Sequence, residues 1–274
     1  MTFRSLGSLL ARLAVIALFV SPIYWIFVSA MRKPGLPPPR TVEWLPAEWS
    51  LDNFARVFEL IPMATYLQNS LLVGAVAVPL TLLVGSISGY SIARLSPALR
   101  GRIVVLLIVA QLLPLIALWL PRFFLVKHLG LLDTLTSLVL PVAVGSLPLY
   151  VLLFYRSCLS VPAEVYEAAE LDGAPPLMAW QQMAMPLIRP TTLAVTAFSF
   201  LFYWGDFVWP LLFLKSPDNY TVSVGILQLQ QLDKSNWPLL MSASLILVLP
   251  SVLVFLLVQR SFLRGNLLSG SSGW

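Results

Sequence analysis

A short acidic segment between two long apolar stretches holds the most distinctive grouping of polar side chains in the chain. Four acidic residues lie between positions 164 and 172, among them Glu167, which Ala168 and Ala169 follow directly. Carboxylates accept hydrogen bonds, and a pair of alanines lets another backbone approach closely. The grouping therefore indicates docking of a partner protein, and we expect no catalytic or metal-binding residue in it.

The residues around this segment predict a helix, a tight turn and a second helix. Pro162 suits the first helical turn, where no backbone donor is needed, and Glu164 favours the positive end of the helix dipole. Gly173 tolerates the left-handed backbone that ends many helices, and we expect an added side chain there to clash at the turn. A second helix begins at Pro175-Pro176, with one face formed by Leu177, Trp180 and Ala184. The alternative to docking is a solvated loop that caps a helix bundle.

The composition places most of the chain in a membrane. Of its 274 residues, 58% are hydrophobic and only 11% are charged, and the mean hydropathy is +0.86; soluble domains average about 25% charged residues. A helix needs about 20 residues to cross the hydrocarbon core. We therefore predict six membrane-spanning helices, in the charge-free runs 13–31, 60–93, 103–121, 134–155, 190–214 (interrupted only by Asp206) and 235–259.

An even number of spans puts both termini on one side, which we expect to be the cytoplasm. The turn 94–102 carries three bases and no acid, as cytoplasmic turns often do. The acidic segment, within loop 160–189, then faces inward, and loops 32–63 and 215–234 face outward. Inside the first outer loop, the pattern of residues 51–58 predicts a short amphipathic helix at the membrane surface. The expected organisation is an N-terminal helix with its outer loop (1–65), a transmembrane core (66–260) and a cytoplasmic tail (261–274).

Several classes of function are disfavoured by what the sequence contains. The apolar run 13–31 is longer than the roughly 7–15 residues of a signal-peptide core, so we expect a retained helix. The basic residues are scattered among loops, which argues against a nucleic-acid surface, and the single Cys158 permits no internal disulfide. None of the four lysines follows a glycine, so no G-x-x-x-x-G-K phosphate loop exists. Any ATP-driven work must therefore use another chain.

The acidic segment resembles the EAA motif of permease subunits of binding-protein-dependent ABC importers. Glu167-Ala168-Ala169, Gly173 and the closing 183–186 follow its pattern, although Met183 and Met185 replace the usual Ile and Leu. More motifs resemble the carbohydrate-type branch, in particular its maltose-type second permease: Asn69-Ser70-Leu71, Tyr90-Ser91-Ile92-Ala93-Arg94-Leu95, Gly130-Leu131-Leu132-Asp133-Thr134, Val139-Leu140-Pro141 and Trp204-Gly205-Asp206-Phe207-Val208-Trp209-Pro210-Leu211. Two features depart from that branch: Gly205-Asp206 replaces Asn-Glu, and the Ser-rich end with Trp274 lacks the usual Gly-and-Lys ending.

This resemblance implies an all-α bundle of six transmembrane helices of the type-1 importer kind, in a bacterial or archaeal plasma (inner) membrane. It also implies an extracytoplasmic solute-binding protein, a second homologous permease and a dimer of ATP-hydrolysing subunits. ATP-Mg would then bind to those partner subunits, and this chain would carry no cofactor. The acidic loop would be the coupling helix that docks on one ATPase subunit, through Glu167, Ala168, Ala169, Glu170, Asp172, Gly173 and Pro186.

The fifth apolar run suggests residues for the solute path. Asp206 is the only charge that we expect inside the membrane, where a charge is costly and usually functional. With Tyr203, Trp204 and Phe207 it could line the path, because aromatic rings stack on sugars; packing or an interfacial belt is the alternative. The expected solute is a sugar or oligosaccharide, with glycerol 3-phosphate or its diesters as the alternative. Two other classes stay open, an ion-coupled secondary transporter and a membrane sensor or scaffold.

Overall fold

The computed structural model describes residues 3–144 and 147–269, and every regular element in these two ranges is helical. This confirms the predicted all-α fold. Short 3-10 turns occupy Leu115–Leu118 and Pro217–Asn219, and a π-helical stretch occupies Ala179–Ala184. In chain order the α-helices are α1 (Phe3–Ala30), α2 (Asp52–Leu60), α3 (Met63–Ala93), α4 (Pro97–Gln111), α5 (Trp119–His128), α6 (Thr136–Val144), α7 (Pro148–Leu159), α8 (Ala163–Leu171), α9 (Pro176–Met178), α10 (Met185–Leu187), α11 (Arg189–Gly205), α12 (Val208–Phe213), α13 (Val222–Leu232) and α14 (Trp237–Ser269).

The predicted spans are less continuous than the charge-free runs suggested. Among the described residues, three helical stretches are long and apolar enough to cross a membrane: Ala11–Ala30, Met63–Ala93 and Trp237–Gln259. Two bent pairs raise the number to at most five, Pro97–Gln111 with Leu115–His128 (92°) and Pro176–Leu187 with Arg189–Gly205 (85°). Pro148–Leu159 is a shorter apolar helix. Six continuous spans are therefore not found in the described chain.

Prolines explain why charge-free length overestimated helix continuity. Pro114 lies in the first bend with an extended ψ of 130°, and it has no N–H to donate to a preceding turn. Pro190 follows directly after the second bend, at the start of α11. A proline adds no charge to an apolar run, so the run 103–121 looked uninterrupted, whereas the run 190–214 is broken at Asp206 and Phe207, between α11 and α12.

The chain divides into two compact units, of which the first comprises residues 1–67 and 222–250. In this unit Asn53 donates to the Ala30 carbonyl at 3.1 Å and to the Arg32 carbonyl at 2.7 Å, and so caps the end of α1. The predicted amphipathic helix is α2, which buries Asn53 and Val57. Tyr66 donates its hydroxyl to Gln228 at 2.6 Å. The segment after α1 is thus folded onto the unit.

The second unit comprises residues 68–221 and 251–274, and its helices α3 and α7 touch at Gly89. A Cβ added to Gly89 would lie 2.6 Å from the Phe154 Cβ and 2.6 Å from the Tyr155 backbone nitrogen. Real Cβ atoms do not approach other atoms so closely, so only glycine allows this crossing. Phe154 is fully buried in a core that continues to the acidic segment through Tyr90, Tyr166 and Ala169.

Asp133 and Asn69 hold the loop after α12 in this second unit. The Asp133 carboxylate accepts the N–H groups of Lys215 and Ser216, both at 2.9 Å, together with the Ser216 hydroxyl. These hydrogen bonds hold the pKa of Asp133 far below its usual range. Asn69, near the start of α3, donates to the carbonyls of Asp218 (2.8 Å) and Tyr220 (3.0 Å). Both holding residues belong to motifs noted in the sequence.

Candidate functional site

The acidic segment forms the predicted helix, turn and helix. Pro162 is the cap residue before α8 and not part of its first turn, since its ψ of 139° is extended. At the other end Gly173 has a φ of 73°, and Ala174 and Gly173 donate to the carbonyls of Ala169 (2.9 Å) and Glu170 (3.0 Å). This pair of bonds is the Schellman arrangement, which requires a left-handed residue.

The expected steric clash at Gly173 is not present. A Cβ built on this residue would have no heavy atom within 4 Å, because the turn projects away from the rest of the unit. The preference for glycine comes from the positive φ alone. A larger side chain is therefore strained by its backbone and not by its neighbours, at a cost of about 1 kcal/mol.

One face of α8 packs inward and the other is exposed. Ala169 is only 3% exposed and lies in the core with Tyr166, so it differs from the expectation that both alanines present a surface. Ala168 and Glu167 do lie on the exposed face, and Asp172 and Gly173 follow at the turn. The sequence interpretation missed Leu171, which is 89% exposed beside the turn; its signal was an apolar residue within an acidic stretch.

The second predicted helix, which begins at Pro175-Pro176, does not have the single apolar face that a 3.6-residue period predicted. Leu177 is 62% exposed and Ala184 is buried, because the chain between them winds as a π-helix over Ala179–Ala184. A π-helix has a wider turn than an α-helix, which shifts the faces along the chain. Pro186 is exposed in α10, beyond this stretch and away from the turn.

Arg94, the first residue after α3, connects that helix to α8. Its guanidinium carbon lies 4.9 Å from the centre of the Tyr166 ring, and its Nη2 lies 3.7 Å from Glu170 Oε2. The Tyr90 and Tyr166 rings meet edge to face at 5.8 Å. Burial raises the pKa of Tyr166 to about 12, so its phenol is neutral at physiological pH. We call Arg94, Tyr166 and Glu170 the arginine clamp.

Asp206 lies where the helix of the fifth apolar run is broken. It follows the end of α11, and its Oδ1 accepts the N–H of Trp209 at 3.4 Å. Val208 and Phe207 also donate backbone hydrogen bonds to this carboxylate. The start of a helix leaves N–H groups without intrahelical partners, and an aspartate side chain satisfies them. Asp206 therefore caps α12 within an otherwise apolar stretch.

A small cavity, lined mainly by apolar residues and by a few polar ones, lies beside this cap. It leaves about 30 Å³ of space, enough for one or two water molecules. Arg122 lines it and lies 4.5 Å from the centre of the Trp209 ring. Because Arg122 belongs to the apolar stretch Leu115–His128, Asp206 is not the only charge in the apolar stretches, contrary to the expectation from sequence. The lining residues are Leu115, Arg122, Ser137, Leu138, Leu147, Phe202, Tyr203, Asp206, Trp209 and Phe213.

The four residues proposed for the solute path are placed differently from one another. Tyr203 and Asp206 line the cavity, and the Tyr203 hydroxyl lies 3.3 Å from Thr81 Oγ1. Trp204 is 2% exposed and stacks on Phe200 at 5.6 Å. Phe207 is 37% exposed. The cavity thus brings together two of the four, and adds Arg122 to them.

Comparison with known proteins places the chain in a family. Residues 81–265, more than half of the chain, match the family described as binding-protein-dependent transport system inner membrane component. The chain belongs to this family. The expected membership in the permeases of binding-protein-dependent importers is therefore confirmed, and the protein is a transport subunit, not an enzyme.

Individual relatives of this inner membrane component align along most of its length. The arabinooligosaccharides transport system permease protein AraQ of Halalkalibacterium halodurans is 31% identical over 83% of this chain and 81% of its own. The lactose transport system permease protein LacG of Rhizobium radiobacter is 30% identical over 79% and 78%. The sulfoquinovosyl glycerol transport system permease protein SmoH of Agrobacterium fabrum is 28% identical over 92% and 88%.

A solved structure agrees with the fold of this permease. A chain of a bacterial ABC transporter involved in the import of the acidic polysaccharide alginate superposes with a TM-score of 0.72. The match covers 94% of this chain and 96% of that one, at 21% identity. At this identity the superposition supports the fold alone, and it confirms the expected type-1 importer architecture. The permease is a multi-pass membrane protein.

Proposed function

We propose that this permease imports a sugar or oligosaccharide. The observation that carries the proposal is alignment along most of the chain with permeases of arabino-oligosaccharide, lactose and sulfoquinovosyl glycerol transport systems. Glycerol 3-phosphate and its diesters, the alternative from sequence, are not better supported. The chain forms half of the path, beside a second homologous permease, and receives solute from an extracytoplasmic binding protein. Both termini then face the cytoplasm.

The turn at Gly173 is the proposed docking element for one subunit of an ATPase dimer, which binds the ATP-Mg. Support comes from the exposed face of α8, where Glu167 and Ala168 precede Leu171. A leucine side chain that moves from water into an apolar pocket contributes roughly 1.5–3 kcal/mol. Leu171 is thus the apolar anchor of the docking surface, and the carboxylates around it select a groove with donors. Ala169 supports this surface from the core.

The arginine clamp is the proposed route by which docking at α8 moves the membrane helices. Arg94 holds Tyr166 and Glu170 of α8 from the end of α3, which is one of the three long apolar helices. A displacement of α8 therefore acts directly on α3. Glu170 serves this internal contact as well as the docking surface.

The cavity beside Asp206 is proposed as a closed part of the solute path. Ionisable groups inside a membrane are rare and usually mark a path for solutes or ions, and here Arg122 and Asp206 lie together with Tyr203. Water-sized space fits a closed state, because a sugar ring needs several times this volume. Opening then requires α5 to move relative to α11 and α12.

Uptake by the assembled importer tests the proposed function. The permease is co-purified with its companion permease, ATPase and binding protein and reconstituted in proteoliposomes. We expect ATP-dependent uptake of a labelled sugar from a panel of arabino-oligosaccharides, lactose and α-galactosides, and none with an ATPase that cannot hydrolyse ATP. Uptake of glycerol 3-phosphate without uptake of any sugar would overturn the assignment.

A further inference from the structure

The segment between α1 and α2 is held in place by several polar contacts. Arg32 forms an ion pair with Glu43 at 2.9 Å and donates to the Pro37 carbonyl at 3.1 Å. The N–H of Ser50 donates to the Met31 carbonyl at 2.8 Å. With the Asn53 cap described above, these contacts fix the segment against the end of α1. Its side chains therefore point in defined directions.

This segment carries several exposed apolar side chains. Val42, Trp44, Leu45 and Trp49 are 59–67% exposed, and we call residues 42–49 the apolar flap. The acidic residues of the same segment form ion pairs, Glu43 with Arg32 and Glu48 with Lys33 at 3.5 Å. Two tryptophans and a leucine on a fixed surface are unfavourable in water. Another phase or molecule must cover them.

Contacts with α1 show where the flap lies along this helix. The Tyr24 hydroxyl donates to the Trp44 carbonyl at 2.6 Å, and the Phe27 and Trp49 rings lie 6.4 Å apart. Tyr24 precedes Ala30, the end of α1, by six residues, or about 9 Å along the helix. Trp44 and Trp49 of the flap therefore lie beside the last two turns of α1, a helix long enough to span a membrane.

The exposed surface of the flap lies beside an exposed apolar surface of α1. Phe19, Ile23 and Phe27 are themselves 37–74% exposed on α1. Tryptophan is enriched where acyl chains meet headgroups, because its ring is apolar and its N–H is polar. We propose that the apolar flap is a membrane anchor that inserts into the bilayer interface, with Trp44, Leu45 and Trp49 contacting lipid. The proposal holds for any transported solute.

Two positions of similar exposure provide a matched test. Leu45 is 67% exposed, and the side chain of Glu48, which pairs with Lys33, is 71% exposed. Leu45→Cys and Glu48→Cys are made with Cys158 replaced by serine and labelled with a nitroxide in the complete importer in lipid nanodiscs. Collisions with oxygen, which partitions into lipid, are compared with collisions with a water-soluble nickel chelate by electron paramagnetic resonance.

We expect the ratio of oxygen to nickel collisions to be higher at position 45 than at position 48. A ratio no higher at 45 than at 48 would mean that water covers the flap and would overturn the proposal. Protection of position 45 from both reagents would show a protein partner on the flap and would also overturn it. Uptake by both labelled variants confirms that the importer is folded. If the importer assembles but takes up no sugar, the collision ratio at position 45 can still be measured, so the two proposals fail independently.

Discussion

Removing Arg94 is expected to uncouple ATP hydrolysis from transport without dissociating the ATPase. Its ion pair with Glu170 joins side chains that are 40% and 78% exposed, and such pairs contribute about 0.2–1 kcal/mol. The contact with the Tyr166 ring contributes about 0.5–1 kcal/mol at a partly exposed site. Together they stabilise the contact of α8 with α3 by about 1–2 kcal/mol, or about 5–30-fold in its equilibrium. Arg94→Ala should reduce the stimulation of hydrolysis by solute within this range and raise the ATP hydrolysed per solute imported.

The assay measures ATP hydrolysed per solute imported, in proteoliposomes with and without the binding protein. Arg94→Lys is the matched control, since lysine keeps the charge but loses the planar group that stacks on Tyr166. Its effect should be smaller than that of Arg94→Ala. A double-mutant cycle with Glu170→Gln isolates the ion pair, and high salt should remove that part but leave the ring contact. An unchanged ratio in Arg94→Ala, at normal assembly, would refute the clamp.

Substitutions at four further positions test the turn at Gly173, which we propose as the docking element, and the polar contacts of Asp206 and Asp133. Gly173→Ala should destabilise the turn by about 1 kcal/mol, and Gly173→Asn by less because asparagine tolerates positive φ; ATPase retention during purification is the measurement. Leu171→Asp should lower that retention at least tenfold, since it loses roughly 1.5–3 kcal/mol of apolar burial, whereas the exposed Leu232→Asp should not. Asp206→Asn should keep the cap and most of the uptake. Asp206→Ala should lose both, because removal of the capping side chain costs about 1 kcal/mol of stability. Because the pKa of Asp133 is depressed, its carboxylate stabilises the 214–220 segment fully at pH values above the unfolded pKa near 4. This stabilisation is lost only as the pH falls below that value. The protection of the Ser216 amide from hydrogen exchange, corrected for the intrinsic pH dependence of exchange, should therefore be constant from pH 5 to 8. Asp133→Ala should abolish that protection.

Each of these predictions has an opposing outcome. Equal retention of the ATPase by Leu171→Asp and the parent would mean that α8 is a solvated cap, the alternative left open by the sequence. Full uptake by Asp206→Ala would show that the α12 break needs no side-chain cap. Protection at Ser216 that falls between pH 8 and 5 would assign the hydrogen bonds to another group.

Local sequence signals predicted the turn at Gly173 well, but they predicted the residues around the cavity beside Asp206 poorly. The helix before Gly173 and the left-handed turn itself depend on residues within a few positions, so Pro162 and Gly173 were sufficient to predict them. The inward position of Ala169 depends on Tyr90 and Phe154, which lie on other helices. Likewise, the approach of Arg122 to Asp206 joins helices far apart in sequence, and no periodicity records it.

Helix α3 can work as a lever with unequal arms. Its close contact with α7 at Gly89 would provide the fulcrum. Arg94 lies about 8 Å from that point, and Asn69 about 30 Å from it in the other direction. A small swing at the clamp would thus move the loop held by Asn69 about four times as far. A movement of about 1 Å at the Arg94 end of α3 would then displace the loop at the Asn69 end by several ångströms, which is enough to open or close a path for solute.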